Sequence, residues 1–356
     1  MRVLVTGGCG FVGSAAVRIL VEAGHQVLNI DKLTYAGDLR TVAAVADSPN
    51  YRFEKMDILD QSGIVASFRD FAPQAVFHLA AETHVDRSID DPGKFIDTNI
   101  HGTFVMLQTA LGYWNHLDTE ERAHFRFIQV STDEVYGSLG DQGHFTEATA
   151  YQPNSPYSAS KAGGDHLARA WYATFGLPAI ISNCANNYGP FQNREKLIPT
   201  IIRKALSSQP IPIYGQGRNV RDWLYVNDHI AALLAVCANG RTGGNYNVGG
   251  QNEISNIDLA IAICALLDER RPRSDGRPHA ERIQFVADRP GHDYRYAIDS
   301  TKAKRELGWQ PQESLQSGLS KTIDWYLDHP DWTMGDVCSE DRLGLGSSPG
   351  SLRENR

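Results

Sequence analysis

Cysteine is scarce and scattered: Cys9, Cys184, Cys237, Cys264 and Cys338 form neither a CxxC pair nor a dense framework. That spacing excludes a disulfide-stapled fold, argues against structural zinc and favours a reducing compartment, so a cytoplasmic location is expected. Met1-Arg2 runs straight into a buried-strand pattern, without a basic leader or a long hydrophobic run. Neither a targeting nor a membrane-spanning segment is expected, and no membrane partner. Positive charge is not in excess either, because 34 Lys and Arg stand against 42 Asp and Glu. The net charge of -8 gives no support for a nucleic-acid surface, although a local basic pocket could still take a phosphorylated small molecule. No internal repeat is evident.

What is present reads as a globular chain, 42% hydrophobic and long enough at 356 residues for two ordinary cores. Strand patterns at Val3-Thr6, Val27-Ile30, Tyr51-Met56, Ala75-Leu79, Phe125-Val130 and Pro178-Ser182 alternate with helical segments. The expected fold class is α/β: a Rossmann-like parallel sheet with helices on both faces and a smaller mixed α/β substrate-binding cap. Residues 1-186 would form the dinucleotide-binding domain, with 227-249 returning to it. Residues 187-226 and 250-330 would form the cap, and the Gly/Ser-rich, charged stretch 331-356 a flexible tail.

Gly7, Gly10 and Gly13 follow the first strand with GxxGxxG spacing. They fit a tight turn, an approach of pyrophosphate to the backbone and close helix-strand packing, with free helix-start amides facing the anion. Asp31, at the end of the second strand, can accept both adenosine-ribose hydroxyls and would repel a 2'-phosphate, which favours NAD over NADP. Lys32 weakens that discrimination slightly. Asp57-Ile58 could hold the adenine, or serve as an ordinary strand-end turn. Small Ala80 and Ala81 leave room for a cofactor, and Thr83 could bond sugar or phosphate. His84, Asp86 and Arg87 read equally well as a charged cluster without chemistry, and no third close ligand makes them a metal site.

Tyr157 and Lys161 lie four apart behind Ser155, a good N-cap, and Pro156, a good first helical residue, so they share a helix face. A nearby ammonium and an oxidised nicotinamide would draw the phenol toward phenolate, able to take a hydroxyl proton. Thr132-Asp133-Glu134 follows the fifth strand on the edge where a parallel sheet carries its chemistry. Taken alone these carboxylates would cap a turn. Beside the redox pair they can divide acid and base work, and simple hydride transfer needs neither.

With Asn186-Asn187-Tyr188-Gly189-Pro190 added, these motifs resemble the dTDP-glucose 4,6-dehydratases of the extended short-chain dehydrogenase/reductase family over nearly all of residues 1-330. The resemblance implies a homodimeric lyase acting on dTDP-glucose with NAD. Tyr157 would deprotonate the C4 hydroxyl as C4 hydride passes to NAD, Glu134 would remove the C5 proton and Asp133 would protonate the departing C6 hydroxyl. Hydride would return to C6. The implied cofactor set also includes Phe11, Val12, Leu33, Thr34, Leu79, Thr98 and Asn187. Implied substrate contacts are Thr83, Thr132, Asn186, Lys196, Leu197, Pro212, Ile213, Tyr214, Arg221, Asn256, Arg289 and His292. The helices around Asn99-Ala110 and Ala162-Phe175 could supply the dimer face. A nucleotide-sugar 4-epimerase would share the redox pair but not need Asp133 and Glu134 for elimination, and an NAD-binding scaffold would need neither.

Overall fold

A computed structural model describes residues 1-334. The first six strands are β1 (Arg2–Thr6), β2 (Gln26–Asp31), β3 (Tyr51–Lys55), β4 (Ala75–His78), β5 (Arg126–Thr132) and β6 (Ala179–Cys184). Six shorter ones follow: β7 (Asn186–Tyr188), β8 (Ile211–Tyr214), β9 (Val220–Tyr225), β10 (Asn245–Val248), β11 (Glu253–Ser255) and β12 (Ile283–Val286). The main sheet has the order β10-β6-β5-β4-β1-β2-β3, and every pairing within it is parallel. It is a Rossmann-like α/β fold. Parallel strands buried on both faces need continuous apolar runs, which Val3-Leu4-Val5 and Phe127-Ile128 supply.

Helices cover both faces. The Phe11–Glu22 and Val226–Asn239 helices pack one side of the sheet, and Gln61–Phe71, Thr103–His116 and Pro156–Phe175 the other. The chain reverses its winding between β2 and β4, on either side of β1. Such a switch point opens a crevice at the carboxyl ends of the strands, where β1, β2, β4 and β5 all deliver their loops.

The second body holds a three-stranded sheet β11-β9-β7, a parallel pair β12-β8 and its own core. In the Leu197–Leu206 helix, Ile198, Ile201, Ile202 and Ala205 are buried at helical spacing and form one side of that core. The chain crosses between the bodies more than once. β10 pairs with β6, and Tyr296, Ile298, Leu307 and Trp309 pack into the core of the main sheet although the sequence pattern groups them with the cap.

The stretch expected to be a tail from Asp331 starts inside a helix. Pro330–Met334 is a helix, and Trp332 stands edge-on to Phe191 at 5.4 Å. Trp332 packs against the cap core, and that contact outweighs the polar composition around it. Residues 335-356 of the expected tail lie outside the described residues.

The glycine turn has a steric logic. Gly7 has φ +71, and a Cβ on it would lie 2.7 Å from the Ala80 Cα. A Cβ on Gly13 would lie 2.1 Å from the Gly7 oxygen. Gly13→Ala therefore overpacks the helix against the turn, at a cost of about 1–3 kcal/mol. Its melting midpoint should fall measurably in a thermal scan; an unchanged midpoint would contradict this packing.

Candidate active site

Two cavities meet at the switch point. The first runs from the glycine turn to the ends of β5 and β6, and the second lies between the first body and the cap. Glu134 lines both, as do Thr83, Asn186, Asn187 and Lys196.

Gly7, Gly10, Phe11, Val12 and Gly13 form the floor of the first cavity. A Cβ on Gly10 would meet only the Gly7 oxygen at 3.3 Å and the Ala36 oxygen at 4.0 Å, so its position is open to a close ligand. Helix Phe11–Glu22 starts there without a side-chain cap, which leaves its first amides for an anion. Asp31 is fixed at the end of β2 by the amides of Cys9 at 2.9 Å and Leu33 at 2.7 Å. This set fits a dinucleotide: a phosphate cradle with a ribose-binding carboxylate beside it. Lys32 is paired with Asp57 at 3.3 Å on the rim, so its ammonium already has a carboxylate partner.

Thr34, Ile58, Leu79, Ala80, Ala81 and Thr98 complete the expected cofactor wall. Thr98 lies in a π-helical turn, Ile96–Gly102, a local widening that often marks functional sites. Leu33 is the exception. It does not line the cavity, and it contributes through its amide, held at φ +57.

At the far end, Ser155 and Ser158 form a capping box with Pro156 in the first helical turn, which starts the Tyr157-Lys161 helix where the spacing requires. Both side chains line the cavity with Thr132. Lys161 donates to the Val130 carbonyl at 2.7 Å. Sequence reasoning expects that ammonium, together with an oxidised nicotinamide, to draw Tyr157 toward phenolate. In the structure burial and the charge of Glu134 push the phenol well above its ordinary value, against the hydrogen bond from Thr132. Burial also lowers Lys161.

The two neighbouring carboxylates occupy different surroundings. Glu134 faces both cavities; burial raises its carboxyl, while Arg289, Arg221 and Lys196 pull it back down. Asp133 is 1% exposed and lines neither cavity. Burial, then Glu134, then Asp222 push its carboxyl well above the usual carboxylate range. Its Oδ1 accepts from Thr132 at 3.3 Å, and its Oδ2 has no hydrogen-bond partner among the described residues. One carboxyl is thus enclosed, while the other faces both cavities with three cations acting on it.

The second cavity carries the basic set. Arg221 stacks on Tyr296 at 4.2 Å and is fixed by the carbonyls of Val220 and Asp293. Lys196 donates to the Thr83 carbonyl at 3.0 Å, and Arg289 lies 3.6 Å from Asp86. Leu197, Pro212, Tyr214, Asn256 and His292 also line this cavity. Asn186 and Asn256 each keep a buried, unpartnered side-chain oxygen, ready to accept from a ligand. Ile213 does not reach the cavity: β8 alternates, so Pro212 and Tyr214 face the ligand side and Ile213 enters the cap core.

The His84, Asp86 and Arg87 cluster closes one rim. His84 and Arg87 lie 3.6 and 3.3 Å from Glu195, and Asp86 accepts from Tyr214 at 2.9 Å. Among the described residues no group of three His, Cys, Asp or Glu could hold a metal ion. Sequence reasoning missed Tyr296, Trp223 and Glu195, which line the second cavity. Trp223 and Tyr296 stand in segments otherwise marked by Arg221 and by packing, and strand alternation was the signal that could have found Trp223.

The family model for GDP-mannose 4,6 dehydratase matches residues 4-322. A probable dTDP-glucose 4,6-dehydratase of Sinorhizobium fredii is 54% identical over 97% of this chain and 99% of its own length. The chain belongs to the dTDP-glucose 4,6-dehydratase family. The dTDP-glucose 4,6-dehydratase of Escherichia coli is likewise 54% identical, over 93% of this chain and 94% of its own. The dTDP-glucose 4,6-dehydratase DesIV of Streptomyces venezuelae, solved with NAD and TDP bound, superposes with a TM-score of 0.84 at 42% identity, covering 93% of this chain and 98% of that one. A UDP-glucose 4-epimerase of Thermotoga maritima has the same fold, with a TM-score of 0.81 at 29% identity over 93% of this chain and 100% of that one. The fold is therefore shared with epimerases, and the chemistry has to be read from the site.

Proposed function

We propose that this chain converts dTDP-glucose to dTDP-4-keto-6-deoxy-glucose and water, as a dTDP-glucose 4,6-dehydratase using NAD. The carrying observation is the position of Glu134, which lines both cavities, with the buried Asp133, whose carboxyl burial pushes upward, next to it. An epimerase has no elimination for that pair to perform. Bound NAD supplies a reversible hydride acceptor and donor for the sugar.

The protein's own residues then divide the proton work. Tyr157, oriented by Thr132, takes the C4 hydroxyl proton. The carbonyl so formed acidifies C5, and Glu134 removes the C5 proton. Asp133 gives its proton to the leaving C6 oxygen. Lys196, Arg221 and Arg289 neutralise the diphosphate, and the same charges pull the Glu134 carboxyl down against its burial. Asp31 excludes a 2'-phosphate, and Asn187 lies on the nicotinamide side. We assign 1-186 with 227-249 to the cofactor body, and 187-226 with 250-330 to nucleotide-sugar binding, apart from the 296-309 stretch that packs on the main sheet.

Incubation with dTDP-glucose followed by mass spectrometry should give a sugar nucleotide lighter by one water. An isobaric product inverted at C4 would replace this reading with epimerisation.

The reading extends to a cytoplasmic homodimer. No helix among the described residues is long and apolar enough to cross a membrane. Phe104, Trp171 and Phe175 form an edge-to-face ladder, with Phe104 and Phe175 exposed on adjacent helices. A second copy would cover that apolar face, and light scattering should report twice the chain mass. A monomer mass would refute the pairing.

A further inference from the structure

The Val226–Asn239 helix packs one side of the main sheet and also brings one polar side chain to the first cavity. His229 is fully buried in the protein and lines that cavity, together with Cys184, Ala185 and Asn187. Its Nδ1 lies 3.0 Å from the Asn187 Oδ1. Its Nε2 is buried and has no hydrogen-bond partner among the described residues.

The neighbouring carbonyls decide which imidazole nitrogen carries the hydrogen. A carbonyl only accepts, so the edge of Asn187 that lies 3.0 Å from the Ala185 carbonyl is its NH2. The same NH2 lies 3.3 Å from the Cys184 sulfur, whose S–H donates to the Ser131 carbonyl at 3.2 Å. Burial pushes that thiol up to about 12, which keeps it protonated. Asn187 therefore turns its Oδ1 to His229. An amide oxygen also only accepts, so the hydrogen of the imidazole is on Nδ1. Burial lowers the imidazole to about 3, which keeps the ring neutral and leaves Nε2 a bare acceptor. A buried acceptor without a donor is unfavourable, and the cavity is the side from which a donor can come.

NAD offers three kinds of hydrogen-bond donor: the adenine amino group, the ribose hydroxyls and the carboxamide NH2 of the nicotinamide. On the proposed cofactor assignment Asp31, Asp57 and Ile58 take the adenosine end, beyond β1 from β6, and Tyr157 and Lys161 take the nicotinamide ribose. The carboxamide is the donor left for the β6 end of the cavity. We propose that His229 Nε2 accepts a hydrogen bond from the nicotinamide carboxamide, which makes His229 a cofactor-binding residue. The bond to Asn187 holds the ring plane and the tautomer that this contact needs. The carboxamide marks one edge of the nicotinamide, so anchoring it fixes which face of the ring is turned to the sugar. This rests on NAD as the cofactor and holds whichever reaction the sugar undergoes.

The probe is 3-acetylpyridine adenine dinucleotide, which keeps the carbonyl of NAD and carries a methyl in place of the NH2. Wild-type, His229→Asn and His229→Gln enzymes are equilibrated with mixtures of the two dinucleotides, and the bound ratio is read by chromatography after release, without turnover. An Asn amide can stand where Nδ1 stands and keep the bond to Asn187, whereas a Gln amide can stand where Nε2 stands. His229→Asn should therefore lose about tenfold of the wild-type preference for NAD, the scale of one neutral hydrogen bond. His229→Gln should keep most of that preference. An unchanged ratio in His229→Asn would overturn the proposal, and with both dinucleotides weakened alike it would mark packing alone. Nitrogen-15 NMR of the wild-type imidazole needs no variant: Nδ1 should be protonated, Nε2 bare, and the Nε2 resonance should move when the acetyl analogue replaces NAD. A proton on Nε2, or a resonance indifferent to the exchange, would also overturn it. Failure of wild-type enzyme to hold either dinucleotide would overturn the cofactor reading and the proposal with it.

Discussion

Tyr157→Phe should lower turnover of dTDP-glucose by about 10²–10⁴-fold, the range that a positioned general base contributes. The ring is buried and stands edge-on to Phe95 at 6.4 Å, so phenylalanine keeps the packing and removes only the oxygen. NAD content and dTDP binding by calorimetry should stay close to wild type. The pH profile carries a second signature. Tyr157 acts as phenolate and its ionisation is pushed upward, so the wild-type rate should climb with pH while the phenol remains neutral. Asp133 acts as the acid, and burial pushes its carboxyl upward as well. A Phe variant within about threefold of wild type would remove Tyr157 from the chemistry, since a base is worth far more.

Glu134→Gln should have an effect of similar size, by a route that can be told apart. The amide cannot take the C5 proton, so incorporation of solvent deuterium at C5 should fall with product formation, by about 10²–10⁴-fold. The charge of Glu134 is also the next largest cause, after burial, of the raised Tyr157 phenol. Removing it should let the phenol ionise at lower pH, moving the rising limb of any residual rate toward acid. The sign follows from Coulomb repulsion between a carboxylate and a developing phenolate. Full C5 exchange in the variant, or a rising limb moved toward alkali, would contradict both roles.

Legibility differed by the range over which each feature acts. The glycine turn, the capped Tyr157-Lys161 helix and the Thr132-Asp133-Glu134 triplet are local, and their spacing alone predicts their place at the ends of β1 and β5. The divergence between Asp133 and Glu134 is not local. It depends on Asp222 of β9 and on Arg221, Lys196 and Arg289, which tertiary packing brings from three other segments. Tyr296 was hidden for the same reason, because tertiary packing sets it in the ligand cavity stacked with Arg221. Ile213 was misplaced against a rule that was available, since a strand sends successive side chains to opposite faces. The upward push on the Tyr157 phenol from burial and Glu134 is likewise tertiary, and its spacing from Lys161 does not reveal it.

One site using Tyr157, Asp133 and Glu134 in sequence requires that the hydrogen leaving C4 be the one that arrives at C6. dTDP-glucose carrying deuterium at C4, turned over by wild-type enzyme in ordinary water, tests this directly by mass spectrometry and NMR of the product. The account predicts deuterium at C6 of a ketosugar that has lost its C6 oxygen. Deuterium retained at C4 with every hydroxyl in place, or released to solvent, would contradict it.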